Sequence, residues 1–453
     1  MKVLHTADLH FSISPDKLPE VIRTTNFLLD QAVVEQPDAI IISGDSFDEY
    51  DGRIRLDSEC VRAAISFVQR AADIAPVLVI TGTPSHDRET PYIFRHLQGK
   101  FPIHVSSDIE TVVLTRLSDS VLLFDRYSGE SVSGDLAVFT CIPSIDKRHL
   151  MANFGGSIQE GNRETRGLIH DLFAGLGLIN DTVPDGIPCI AVLHGMCTGS
   201  QFSQGGQVAV GEDLEFGISD LAVLHADYCA LGHVHMQQCF DLGNGVKACY
   251  SGSVGRMNFG EKEAKGFLVV EFDASGSAKE IKNVPTPARK FCFVEAKWDE
   301  SVEGIEHVER ALVAALPDAA GADVRFRFDV PEELRHLVDR AGIEESFLAV
   351  GALRVKIELQ ILPKTRARAA GISQLTSLPE KVRKWGDATD MVIPDSVLQL
   401  AGIIEGLSVE ELLTHALSSS VPAKAVGSDV APNQMPLNAA TAILIAQEQT
   451  SLF

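Results

Sequence analysis

The sequence has no CxxC pair. Its eight cysteines, Cys60, Cys141, Cys189, Cys197, Cys229, Cys239, Cys249 and Cys292, stand apart, so a structural zinc site is not expected. Most lie in apolar runs, as reduced core cysteines do, and that fits a reducing compartment. Basic residues are scarce: 39 Lys and Arg against 62 Asp and Glu leave a net charge of −23. A free-standing DNA binder usually shows the opposite balance, because phosphate contacts need cations. A nucleic-acid ligand would have to be held by a local basic patch, by metal ions or by a partner. The plainer reading of the charge is an ordinary cytoplasmic chain. No apolar run reaches the ~18 residues of a membrane span. Met1-Lys2 leads straight into a strand pattern, so no signal peptide is expected. There are no internal repeats. What remains is 453 residues, 45% of them hydrophobic, enough for two or three domains with a sizeable core.

The chemistry-bearing residues fall at the ends of apolar runs. Ala39 to Ile42 is a continuous apolar run, as in a strand buried on both faces, and Gly44-Asp45 follows it. Strand ends are the usual ligand sites of α/β sheets. Lys2 to Ala7 predicts an earlier strand that delivers Asp8-Leu9-His10. Residues two apart in an extended segment point the same way, so Asp8 and His10 can converge. Helical spacing over Val21–Val33 and Asp57–Ala72, and a strand over Pro76–Ile80, complete a β-α-β-α-β order, that of a layered α/β domain. The third strand ends in Gly82-Thr83-Pro84-Ser85-His86-Asp87. Short strands follow at Val121–Phe124 and Leu136–Cys141, a Gly-rich loop at Asn153–Asn162, and a helix over Arg163–Leu176. Two more buried strands, Ile190–Leu193 and Tyr228–Leu231, end in His194-Gly195 and Gly232-His233-Val234-His235.

The downstream part reads differently. Strands over Val246–Ser253 and Gly266–Phe272 lead into Asp273–Pro287, whose Ser, Gly, Pro and charges predict a linker. Then Phe291–Trp298, Ile305–Leu316, Val324–Val330, Glu332–Ala341 and Arg354–Ile361 read strand, helix, strand, helix, strand, a small α/β domain with one exposed sheet face. Beyond Pro363 short helices are expected at Ser377–Trp385, Pro394–Glu405 and Ser408–Leu417, with a last one at Leu437–Gln447. Lys364, Arg366, Arg368, Lys381, Arg383 and Lys384 make the densest basic region.

Collected, Asp8, His10, Asp45, His86, His194, His233 and His235 are carboxylates and imidazoles without thiolates. Such a set suits manganese, iron, zinc or magnesium. It holds too many ligands for one ion. A carboxylate such as Asp45 can bridge two ions ~3.5–4 Å apart, the arrangement used to hydrolyse phosphoesters. An unligated histidine oriented by a carboxylate would protonate the leaving oxygen, and His86 with Asp87 beside it fits that role.

In their order, Asp8-x-His10, Gly44-Asp45-x-x-Asp48, the Gly82…His86-Asp87 segment, His194-Gly195 and Gly232-His233-x-His235 resemble the calcineurin-like metallophosphoesterase superfamily. Leu4 to His10 and Tyr250 to Glu261 resemble, more narrowly, the SbcD-type DNA repair exonucleases. The resemblance implies an α/β fold, a layered metallophosphoesterase sandwich of two sheets flanked by helices over residues 1–275. It also implies a small α/β capping domain over 286–363 and a C-terminal helical partner-binding segment over 364–453. It implies a two-metal DNA exonuclease or endonuclease, with manganese as the metal and an SbcC-type coiled-coil ATPase as partner, in a cytoplasmic homodimer with no membrane attachment. Carried over residue by residue, Asp8, His10 and His235 would hold the first metal and His194 and His233 the second, with Asp45 between them. His86 would be the leaving-group histidine. The family's Gly-Asn-His-Asp is absent, and counting back from His86 puts Ser85 in the Asn position as a ligand of the second metal. Two other readings stand beside this one: a phosphodiesterase for small nucleotides, and a non-catalytic scaffold that has lost the second metal.

Overall fold

The computed structural model describes residues 1–49, 52–118, 121–131, 133–144, 158–202, 215–362, 371–408 and 411. The chain divides into two compact units. One is Met1–Val330 with Leu334–Ile361; the other is Pro331–Glu333 with the chain from Leu362 onward.

The apolar runs become the centre of two stacked sheets. The first has six strands in the order Ala278–Pro285, Gly266–Phe272, Lys2–Thr6, Ala39–Ser43, Val77–Ile80, Ile103–Ser106. Its last four strands are parallel and the other two antiparallel. The second sheet has seven, in the order Gln238–Gly243, Val246–Tyr250, Tyr228–Gly232, Cys189–His194, Asp135–Ile142, Glu110–Ser118, Val121–Arg126. Strands covered on both faces need apolar residues throughout. Ile41 accordingly packs toward Ile190, Val192 and Tyr228 of the second sheet, while Ile40 and Ile42 pack under helices. Each such fully buried side chain contributes about 1.5–3 kcal/mol relative to an exposed one.

Helices cover the outer faces. Leu18–Glu35 starts with Pro19 in its first turn and ends on Gln36 in the left-handed region. Glu59–Ile74 is capped by the Ser58 side chain, which accepts from Val61 N at 3.5 Å. Its buried residues Val61, Ala64, Val68, Ala71 and Ala72 recur at helical spacing against the first sheet. Ile158–Asn180 lies on the second sheet through Ile169, Phe173 and Leu176.

Downstream, Lys290–Ala296, Ala322–Pro331 and Arg354–Leu362 form a three-stranded sheet. One face packs on the helices Glu306–Ala319 and Arg340–Ala349 through Val324, Phe326, Phe328, Val330 and Phe347. In the second unit Leu378–Ala388 and Asp395–Glu405 are helices.

Four expectations are corrected. Asp273–Pro287 is not all linker, because Ala278–Pro285 is an edge strand of the first sheet. Its charged residues are what an edge strand carries, and in sequence they read as linker. The helix expected over Glu332–Ala341 is a 3₁₀ segment, Glu332–Leu337, followed by the helix Arg340–Ala349 capped by Asp339. The Gly-rich loop is helical from Ile158; residues 153–157 lie outside the described residues. Finally, Cys239 and Cys249 do not stand apart. The antiparallel hairpin sets them directly opposite, Cα atoms 4.1 Å apart, and they are joined as a disulfide. The other six cysteines are free and buried. The helices expected over Ser408–Leu417 and Leu437–Gln447 lie almost wholly outside the described residues, as do Lys364, Arg366 and Arg368. No helix among the described residues is long and apolar enough to cross a membrane.

Candidate active site

The parallel strands of both sheets end at one place. The loops after Lys2–Thr6 and Ala39–Ser43 run side by side: Asp8 N donates to Gly44 O at 3.1 Å and His10 N to Asp45 O at 3.1 Å. The second sheet meets them through His194, whose Nδ1 donates to Ser43 O at 2.8 Å, and through Ser43 Oγ, which donates to Ala230 O at 3.2 Å. Four of the converging residues hold backbone angles that L residues rarely adopt: Asp8 (φ 52°), His10 (φ 54°), Asp45 (φ 48°) and His233 (φ 104°). Such strain persists only where the surroundings over-determine it, and it gathers at functional sites. Close packing leaves no room for a side chain on Gly82 or Gly232. A Cβ on Gly82 would sit 2.1 Å from Asp45 N, and one on Gly232 would sit 1.8 Å from Ser43 O.

Among the described residues three groups bring donor atoms within 4.8 Å of one another: Asp8, His10 and His235; Asp45, His194 and His233; and His10, Asp48 and His86. Asp8 and His10 are buried, and Asp8 Oδ2 and His10 Nδ1 have no partner among the described residues. Buried polar atoms without partners are costly, so a ligand is the natural account of them. His10 Nε2 and His235 Nε2 lie 2.9 Å apart, close to the spacing of two imidazoles at right angles on an ion with bonds of ~2.0–2.1 Å. Burial, with His235 and His86 nearby, lowers His10 to about 3, so its ring is neutral and able to bind a metal. His194 moves the other way without a metal: against burial, Asp45 beside it raises it to about 9. Asp45 is held well below the usual carboxylate range, since His194 outweighs its burial. The donor set therefore fits divalent cations.

Outer partners fix these rings. Glu261 Oε1 accepts from His235 Nδ1 at 3.3 Å, which leaves Nε2 facing the cluster. Glu261 is itself buried against Lys265 Nζ at 2.9 Å and accepts from Met257 N at 3.0 Å. Lys265 Nζ also reaches His235 O at 3.1 Å. Ser43 O does for His194 what Glu261 does for His235.

Two expected site residues, Asp87 and Ser85, have other surroundings than expected. Asp87 does not touch His86. Its carboxylate is buried and accepts from Phe47 N at 2.8 Å and Gly82 N at 2.7 Å, so it ties two loops together. Burial and Asp45 push it up to about 7. The carboxylate beside His86 is Asp48, whose Oδ1 accepts from His86 Nδ1 at 3.1 Å and whose Oδ2 holds Lys17 Nζ at 3.0 Å. Burial opposes the charge on His86, but the Asp48 bond and the surrounding carboxylates raise it to about 9.

Ser85 is exposed, whereas the residues of the second group are buried. Thr83 stands in its place: Thr83 N donates to Asp45 Oδ1 at 2.6 Å, and its Oγ1 lies 3.1 Å from His194 Nε2 and 3.4 Å from His233 Nδ1. The residue that follows Gly82, rather than the one that precedes His86, reaches the second group, and Pro84-Ser85 bulges outward as a turn. Lys17, Thr83 and Lys265 were not singled out from sequence. Thr83 had a signal in its position after Gly82; Lys17 and Lys265 had none.

A family model described as calcineurin-like phosphoesterase matches residues 1–237. Curated relatives include the DNA double-strand break repair protein Mre11 of Methanosarcina mazei, 23% identical over 364 residues, covering 79% of this chain and 49% of the relative. The protein of that name from Aeropyrum pernix is 24% identical over 397 residues, 85% of this chain and 82% of the relative. A third, from Methanosarcina acetivorans, is 24% identical over 236 residues, 51% of this chain and 36% of the relative. The chain thus spans half or less of the length of the two Methanosarcina relatives. With the matched span ending just past the strand-end histidines and holding all three donor groups, the chain belongs to the calcineurin-like phosphoesterase family.

Proposed function

We propose that this chain is a two-metal DNA exonuclease or endonuclease of DNA repair or recombination, and that manganese is its metal. The observation that carries the reading is the meeting of two donor groups, Asp8, His10 and His235 beside Asp45, His194 and His233, at the ends of parallel strands from two sheets. The relatives named as break-repair proteins favour DNA over other phosphodiesters. Asp8, His10 and His235 would hold one ion and His194, His233 and Thr83 the other, with Asp45 available to both.

Two divalent ions held by these residues would supply a nucleophilic hydroxide at neutral pH and offset the phosphate charge. The protein does the rest. His86, kept protonated by Asp48, gives its proton to the leaving oxygen. Lys17 holds the far oxygen of Asp48, so the His86 ring keeps its direction. Glu261 and Ser43 O set the tautomers of His235 and His194. Thr83 N fixes the Asp45 carboxylate.

Residues 1–275 form the nuclease domain, 286–363 a capping domain and 364–453 the segment that binds an SbcC-type coiled-coil ATPase. The assembly is a cytoplasmic homodimer. The exposed apolar residues Trp385, Leu400 and Ile403 favour such a partner helix. The test is degradation of an end-labelled duplex by the purified chain with and without manganese, beside a cyclic dinucleotide. Cutting of the duplex supports the reading. Turnover of the dinucleotide alone replaces it with a small-nucleotide phosphodiesterase.

A further inference from the structure

One pair of cysteines differs from the other six. Those six are free and buried. Cys239 is exposed, and it is joined to Cys249, which is buried. The two stand directly opposite in the hairpin Gln238–Gly243 and Val246–Tyr250. The hairpin does not depend on the bond. Its two-residue turn, Asn244-Gly245, has φ of 53° and 85°, the left-handed pair that a tight hairpin favours. Lys247 Nζ also meets Asp241 across the strands at 2.6 Å. A link between residues 10 apart, which a turn already brings together, adds little to closing the chain. Exposed disulfides are, moreover, the ones that exchange with thiols.

What the bond does constrain is the support of the first donor group. Gln238–Gly243 is the edge strand of the second sheet and begins just after His235, with a strand neighbour on one side only. That neighbour, Val246–Tyr250, runs on into Ser251-Gly252-Ser253. There Ser253 N donates to His235 O at 3.2 Å, and Ser253 pairs with Ala7, next to Asp8. Gly252 packs so close that a Cβ on it would lie 2.8 Å from His235 O and 2.9 Å from Gln237 N. Tyr250 Oη, next to Cys249, donates to Gly195 O at 2.7 Å, behind His194. The bond therefore ties the segment that carries His235 to the strand that backs it.

We propose that Cys239–Cys249 is a reversible site of exchange with small thiols, closed when His235 is held for the first ion and open when that hold is loosened. The inference rests on the metal-binding reading of Asp8, His10 and His235. In the opening step a thiolate of a small dithiol attacks Cys239 Sγ, the exposed sulfur. The S–S bond breaks, its electron pair leaves on Cys249 Sγ, and that sulfur takes up a proton. The second thiolate attacks the reagent's own sulfur in the mixed disulfide and releases Cys239, which is protonated in turn. The protein gains two electrons and two protons, and the dithiol becomes its cyclic disulfide.

The experiment equilibrates the folded, metal-free full chain with glutathione disulfide or with dithiothreitol and removes the reagent without air. A sample of each form is alkylated with iodoacetamide in denaturant, digested and weighed. The oxidised form should keep residues 239 and 249 joined, and the reduced form should carry the label on all eight cysteines. Calorimetric titration should find the first manganese ion roughly tenfold looser in the reduced form, the lower end of the cost of losing an outer support. Amides of residues 236–240 should exchange hydrogen faster in that form. Cys239→Ser, at an exposed position that leaves the core intact, should match the reduced parent and ignore both reagents. A pair that never joins, or one that stays joined in folded protein under dithiothreitol, would overturn the proposal. So would equal first-ion affinity or equal amide exchange in the two forms, or a Cys239→Ser protein that still responds. Bond opening and amide exchange are read without metal. A parent that takes up no manganese in either form sinks the two-ion reading by a separate measurement, and the link to the ion with it.

Discussion

His86 Nδ1 lies 3.1 Å from Asp48 Oδ1, and Asp87, its neighbour in sequence, faces the other way onto the amides of Phe47 and Gly82. The two adjacent acids and bases of the motif are thus split between chemistry and scaffolding. Replacing His86 by Ala should leave metal content intact and cut hydrolysis by roughly 10²–10⁴-fold, the range for a positioned acid. In metal-free protein, NMR titration should place the His86 pKa at about 9, and Asp48→Asn should drop it toward the free value near ~6.5. The sign follows from the raised value. The His86–Asp48 contact stabilises the fold fully below about pH 6.5 and is lost as pH rises through about 9. An unchanged pKa in Asp48→Asn would return the orienting role to another carboxylate.

Thr83 Oγ1 sits 3.1 Å from His194 Nε2, and neutral hydroxyls bind divalent ions weakly. Calorimetric titration of metal-free protein with manganese should therefore show a tight first ion and a looser second. Thr83→Ala should loosen the second by roughly tenfold or more while sparing the first. Thr83→Asn, with a stronger oxygen donor, should tighten it. Ser85→Ala should do nothing. Two equally tight ions that ignore every change at Thr83 would falsify this assignment.

Glu261 reaches the first ion only through His235. Glu261→Gln should loosen that ion by roughly 10–100-fold, the usual cost of removing an outer partner, with the second ion little changed. Lys265, 1% exposed beside a fully buried Glu261, has a separate job. Lys265→Met leaves a buried carboxylate without its cation and should cost about 3–5 kcal/mol in urea unfolding. A Lys265→Met protein as stable as the parent would mean that His235, Met257 N and Asn258 satisfy Glu261 without the cation.

Buried parallel strands were the most legible part of the sequence, because Ala39–Ile42, Ile190–Leu193 and Tyr228–Leu231 are apolar throughout and stop at Ser43-Gly44, His194 and Gly232. The strand-end rule then located Asp8, Asp45, His194 and His233 without any knowledge of which strands pair. What stayed hidden depends on contacts between distant residues. Lys17 meets Asp48 across a loop, and Cys239 meets Cys249 only in one hairpin register. The edge strand Ala278–Pro285 looks like a linker until the apolar strand Gly266–Phe272 supplies its hydrogen bonds. Asp87 points away from His86 because residues 84–89 form a turn, where adjacency in sequence does not set side-chain direction.

The account stands on two ions side by side in one site. A crystal soaked in manganese, measured at a wavelength where that metal scatters anomalously, tests it most directly. Two peaks ~3.5–4 Å apart are expected, one among Asp8, His10 and His235 and the other among His194, His233 and Thr83, with Asp45 between them. A single peak, or a pair centred on His86 and Asp48, would contradict it.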